Sequence, residues 1–282
     1  MKHPLGKYVY QYPSLSALID VAVNASSEMS TDNRASRRAD EGGRGWSGGT
    51  WDDAKRLAIA GDIEGAKRLA PAMLKAVNSM VSGMPRLDPV YRLDEGRWID
   101  VARFVKGEPE CWGDMVESEP MKRKGAAVIL NVAAHAGIRA STLDTLGVQV
   151  GSAVLGLQSM GQSVTLYVCE KIAGGSFGTA SRHCYTIAPV NPGGCVLDVS
   201  RLSIVLRPWF LRRIMFSLNE TWSKEARQGF GIPGGYGSPR PLTKQEAETL
   251  TGHKDAVIVD FDSAARYPDR VAEDIIRQIK GA

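Results

Sequence analysis

The sequence predicts an α/β protein. A three-layer sheet domain in the order β-α-β-β-α-β-α is expected over residues 121–282, preceded by a smaller helical and hairpin region over residues 1–120. Three observations carry this expectation. Ala126–Val132 and the stretch from Ala256 to Asp262 open as continuous apolar runs, the mark of strands buried on both faces. A further apolar strand, Ser163–Cys169, follows the first at the distance a helical right-handed crossover needs. Gly174–Gly178 is too short to hold a helix, so the strand His183–Val190 must return antiparallel.

From the N-terminus, Tyr8–Tyr12 suits a short strand, and Ser14 or Ser16 is available to cap an amphipathic helix through Val23. Residues 26–49 lose nearly all large aliphatics and read as a polar linker with a basic cluster at Arg34, Arg37, Arg38 and Arg44. Thr50 and Asp53 form a capping-box-like start for a helix that stops at Gly61. Asp62 caps a second helix, which Pro71 is placed to interrupt or reset. Alternation from Val90 to Ala102 around a turn at Asp94–Gly96 predicts a β-hairpin.

In the C-terminal half, Ser141 is a candidate N-cap for a helix with apolar residues at 143, 146, 150, 153, 154 and 157. A helical stretch over 198–222 contains Pro208, which should kink or split it. The glycine- and proline-rich residues 229–241 predict an exposed mobile loop. Short helices over 243–250 and 268–280 flank the final strand.

Composition excludes several classes. The 282 residues carry 35 Lys+Arg against 31 Asp+Glu, a net charge of +4, too weak a field to demand a nucleic-acid partner. No apolar run approaches the length of about eighteen residues that a membrane span requires, and the first residues lack a signal-peptide core. Four cysteines without CxxC spacing (Cys111, Cys169, Cys184, Cys195) read as reduced thiols, with Cys111 the exposed one, so a cytoplasmic location is expected. There is no Gly-x-Ser-x-Gly elbow, and the glycines at 229–237 lack the Gly-Lys-Ser/Thr ending of a phosphate loop.

Ligands of open sheets sit beyond the carboxyl ends of the strands. A metal or phosphate site there would draw on Asn131, His135, Ser141, Asp260 and Asp262. The strand–helix–hairpin order over residues 125–282 resembles the von Willebrand factor A-like fold. Its Mg²⁺-binding members carry Asp-x-Ser-x-Ser after the first strand, where this sequence has Asn131, Ala133 and His135. An amide, a methyl and an imidazole do not replace a carboxylate and two hydroxyls around a hard cation, so the resemblance implies a lost ion site, and no cofactor is expected. The segments Gly45–Ala54, Arg103–Cys111 and Arg207–Arg213 are also similar to uncharacterised proteins of tailed bacteriophages and prophages. That resemblance implies a phage protein at work in the bacterial host cytoplasm.

These readings leave three functions. The first is a non-enzymatic accessory protein acting through contacts with a protein partner. The second is binding of single-stranded nucleic acid by Arg207, Trp209, Arg212 and Arg213, with a basic patch at Lys122, Arg123 and Lys124, because arginines and aromatic rings together pair phosphates and stack bases. The competing reading of that segment places its aromatic residues in the core and its arginines on the surface. The third is a metal-dependent hydrolase using Asp260 and Asp262.

Overall fold

A computed structural model describes residues 3–29, 34–37, 44–81, 90–93, 98–99, 103, 105–114, 125–159, 162–174, 182–195, 198–232 and 235–280. The chain divides into two units, one made of residues 1–78 and 125–282, the other of residues 79–124.

The expected boundary at residue 120 is therefore displaced. The first strand, β1 (Val9–Gln11), joins the main sheet, because its exposed backbone groups find their partners on a strand far along the chain. Ser14 caps α1 (Leu15–Asn24) by accepting from the Ala17 amide at 3.1 Å. Thr50 caps α2 (Trp51–Ala60) in the same way, and the chain leaves that helix at Gly61 with φ of 91°. Asp62 accepts from the Gly65 amide at 2.8 Å and starts α3 (Ile63–Val81), which runs through Pro71 without a break.

In the smaller unit the expected hairpin is not formed. β2 (Val90–Arg92) and β3 (Trp98–Ile99) each pair antiparallel with β4 (Trp112–Asp114), which lies between them. Cys111, expected to be exposed, is buried, whereas Cys195 is the exposed thiol.

The main sheet is mixed. β5 (Ala126–Asn131) leads through α4 (Ala140–Ser159) to the parallel strand β6 (Val164–Gly174), and β7 (Arg182–Pro189) returns antiparallel, as the short connection requires. α4 begins at Ala140, so Ser141 lies inside the helix. Pro208 splits the next helical stretch into α5 (Val199–Val205), a π-helical turn (Phe210–Met215) and α6 (Phe216–Glu220), and α7 (Lys224–Gly229) follows. β8 (Ser238–Pro239), α8 (Lys244–Thr251), β9 (Val257–Asp260), α9 (Phe261–Ala264) and α10 (Val271–Lys280) complete it. The order across the sheet is β1-β7-β6-β5-β9, with β8 added to the end of β6.

Side chains alternate across the sheet. On one face Ile129, Cys169, Tyr185 and Ile187 pack against Leu242, Ala247 and Leu250 of the α8 region. On the other, Ile172 and Cys184 meet Trp222, Ala226, Phe230, Ile232 and Tyr236. The loop expected to be exposed and mobile at 229–241 thus contributes Ile232 and Tyr236 to the core, because its apolar side chains cover the far end of β6. Cys169 and Cys184 are not opposite one another: Cys169 pairs with Ile187, and Cys184 with Ile172.

Candidate functional site

β6 and β9 lie on opposite sides of β5, so the carboxyl end of β5 is the switch point of the sheet. β5 stops at Asn131 while β6 continues to Gly174, and β8 pairs with that overhang at Ile172 and Ala173. The Asn131 side chain closes the gap left between the strands. Its Oδ1 accepts from the Lys171 amide at 3.0 Å, and its Nδ2 donates to the Arg240 carbonyl at 2.9 Å and to Asp260 Oδ1 at 2.7 Å. The same carboxyl oxygen of Asp260 accepts from the Leu242 amide at 3.1 Å. Burial raises the Asp260 carboxyl above the ordinary aspartate value, against the hydrogen bond from Asn131.

Of the residues anticipated for a metal, Asn131 and Asp260 are brought together, but by an amide donor that a carboxylate could not supply. Asp262, on α9, turns to His135, accepting from its backbone amide at 2.9 Å and contacting its ring Nδ1. Among the described residues, no group of three or more His, Cys, Asp or Glu side chains could hold a metal ion.

The Arg/Trp segment takes a different position from the one its composition suggests for nucleic acid. Trp209, Arg212 and Arg213 are all buried. Arg213 donates to the carbonyls of Gly49, at 3.2 Å, and Ser36, at 3.0 Å, while Arg212 donates to the carbonyls of Trp46 and, at 2.7 Å, Ile138. Arg207 pairs with Asp144 at 2.8 Å and faces Asp62 at 3.6 Å. Arg212 and Arg213 tie Ser36, Trp46 and Gly49 to the π-helical turn, and Arg207 ties the residues before it to α4, in a stretch with few large aliphatic side chains of its own. The linker arginines share this role: Arg34 is buried against Glu220, and Arg37 lies over the Trp51 ring at 4.3 Å. Lys122, Arg123 and Lys124 lie outside the described residues.

The group that sequence reasoning missed is Glu170. It sits on β6, 2 % exposed, facing away from the α8 side on which its neighbour Lys171 pairs with Glu246 at 2.7 Å. Adjacent charged residues inside an otherwise apolar strand were the available signal, since burial on both faces leaves neither of them water. Among the described residues Glu170 accepts a single hydrogen bond, from Asn219 on α6 at 3.1 Å, and burial pushes its carboxyl up to about 7. The Oδ1 of Asn219 is itself without a partner among the described residues.

Glu170 lines a cavity of about 230 Å³ at the switch point, together with Trp46, Ala133, His135, Arg212, Phe216 and Tyr236. The π-helical turn brings Leu211 and Arg212 to it, and Phe216 at the start of α6 adds a third wall. Tyr236 forms a wall from the left-handed region, at φ of 52°, pinned by its ring stacking on Phe216 at 4.0 Å and its hydroxyl donating to Glu220. An adjacent, more open cleft of about 530 Å³ is lined by Gly174, Arg182, Gln228 and Phe230. Gly174 is obligatory there, since a Cβ would lie 2.1 Å from the Gly229 carbonyl oxygen.

A carboxyl held near neutrality in a small aromatic-walled cavity suits recognition of a donor or cation. Among the described residues, no helix is long and apolar enough to cross a membrane. No curated protein and no solved structure matches the chain. Residues 2–281 do match one family along nearly the whole length, and the chain therefore belongs to the family described as Domain of unknown function (DUF7192).

Proposed function

We propose that the chain is a non-enzymatic binding protein, an accessory factor of phage type that acts in the bacterial host cytoplasm through contact with a protein partner, on a sheet that is a reduced von Willebrand factor A-like fold. The single observation that supports this best is the state of the strand ends. The amide of Asn131 spends its donors on Arg240 and Asp260 and its acceptor on Lys171, so the groups where ion-dependent chemistry would sit are engaged with one another. The strand–helix–strand order with an antiparallel third strand supports the fold reading, and the similarity of Gly45–Ala54, Arg103–Cys111 and Arg207–Arg213 to phage proteins supports the source. The burial of Arg212 and Arg213 weighs against single-stranded nucleic acid as the partner.

Thermal unfolding with and without millimolar Mg²⁺ or Mn²⁺ tests the reading, because a ligand that binds the native state raises its melting temperature. The expected result is no shift, no hydrolysis of nucleotides or nucleic acid, and no retention of a labelled oligonucleotide at low salt. A metal-dependent shift together with metal-dependent hydrolysis, both abolished by Asp260→Ala, would support the hydrolase alternative instead.

A further inference from the structure

The cavity beside Glu170 holds two buried charges of opposite sign, neither of them compensated. Glu170 has one neutral partner, the Asn219 amide. Arg212, 1 % exposed, spends its described hydrogen bonds on the carbonyls of Trp46 and Ile138, which carry no countercharge, and its guanidinium lies 4.5 Å over the Trp46 ring. Among the described residues, neither group has an oppositely charged side chain within ion-pair distance, and the two are not paired with each other although both line the same cavity. Unpaired buried charges are costly and are kept where a ligand completes them.

We propose that this cavity binds a small amino-carboxylate, its ammonium on Glu170 and its carboxylate on Arg212. A guanidinium offers five donors in a planar fork, so the two carbonyl bonds leave Arg212 with N–H groups for a carboxylate. The aromatic rings of Trp46, Phe216 and Tyr236 wall the space between and favour a nearby cation. The volume of about 230 Å³ corresponds to about seven water molecules, room for an aliphatic amino acid of a few carbons. This ligand is additional to the protein partner proposed above and does not depend on it.

Other titratable groups lining the site are His135, whose backbone amide and ring meet Asp262, and Tyr236, whose hydroxyl donates to Glu220. Burial brings Glu170 to titrate near neutrality, so an ammonium that needs its ionised form binds with release of a proton.

Calorimetric titration of the full chain with glycine, β-alanine and 4-aminobutyrate, against butylamine and butyrate as controls, tests this. At least one amino-carboxylate should bind with a Kd below about 1 mM, and both controls about tenfold or more weaker. Affinity should rise between about pH 6 and pH 8. Glu170→Gln keeps an acceptor for Asn219 and should abolish the preference for the amino-carboxylate over butyrate. Equal binding of butyrate, equal binding of butylamine, or no binding by any member of the panel to the folded chain would each overturn the proposal. None of these results bears on capture of a protein partner.

Discussion

Glu220 and Glu170 are the same residue type and both almost fully buried; Tyr236 donates its hydroxyl to the first and lines the same cavity as the second. Glu220 accepts from Arg34 Nε at 2.8 Å, from the Ser36 amide at 2.9 Å, from the Ser36 hydroxyl at 2.6 Å and from the Tyr236 hydroxyl. Glu170 accepts from Asn219 alone and opens onto a cavity. Four donors, one of them cationic, replace the water lost by the first carboxylate, and one amide does not replace it for the second. Burial therefore does not distinguish the two carboxylates; the number and charge of their donors does.

The largest expected effect breaks the better-supplied member of the pair. Glu220→Ala leaves Arg34 buried without its countercharge and should lower unfolding free energy by about 3–5 kcal/mol in denaturant melts. A loss below about 1 kcal/mol would mean that the two sites are alike. Glu170 should show the opposite sign. Its folded value lies above the unfolded 4.5, at about 7, so its stabilising contribution is present in acid and is lost as pH rises through that window. Relative to Glu170→Gln, the wild-type chain should lose about 3 kcal/mol between pH 4 and pH 8, read from paired melts across pH. A pH-independent difference would mean that burial leaves the Glu170 carboxyl unshifted.

Asn131→Asp sharpens the comparison from the strand ends. It sets a carboxylate against Asp260, where the amide now donates at 2.7 Å, and against the Arg240 carbonyl. Stability at pH 7 should fall by about 2 kcal/mol and recover on acidification, when one carboxyl regains a proton to donate. Unchanged stability would show that the switch point tolerates charge without help. The smallest effect belongs to the exposed pair of Lys7 and Glu225, joined at 2.8 Å on the surface. Lys7→Ala should leave the melting temperature within experimental scatter, since water already supplies what the partner offers.

Much of the main sheet was legible before its coordinates. The apolar runs at 126–132 and 163–169, the antiparallel return at 183–190, and the caps at Ser14 and Thr50 are local signals, and each lies in the element it predicted. Hydrophobic period and capping chemistry depend on neighbours in sequence, so they survive into the fold unchanged. The candidate site was legible only in part. Asn131, Asp260, Asp262 and His135 were recognised as strand-end residues, and they do converge there, but the amide closes the sheet.

The arginines at 212 and 213 are buried and Arg207 pairs with Asp144, whereas the sequence suggested phosphate contacts or a surface coat. A buried arginine and an exposed one look the same in sequence, because what buries it is a set of backbone carbonyls contributed by residues 34–50 and Ile138. The pairing of β1 with β7, and the position of β4 between β2 and β3, were hidden for the same reason. Short strands carry too little pattern to name a distant partner.

By itself, the sequence determined where the buried strands and main helices of the sheet lie, and that β7 must run antiparallel to β6, because these follow from residue spacing and connection length. Only the tertiary structure decided which charges are answered and which are not. Glu220 and Glu170 differ through donors brought from more than a hundred residues away in one case and a single α6 amide in the other, and such long-range supply of hydrogen bonds has no period to read.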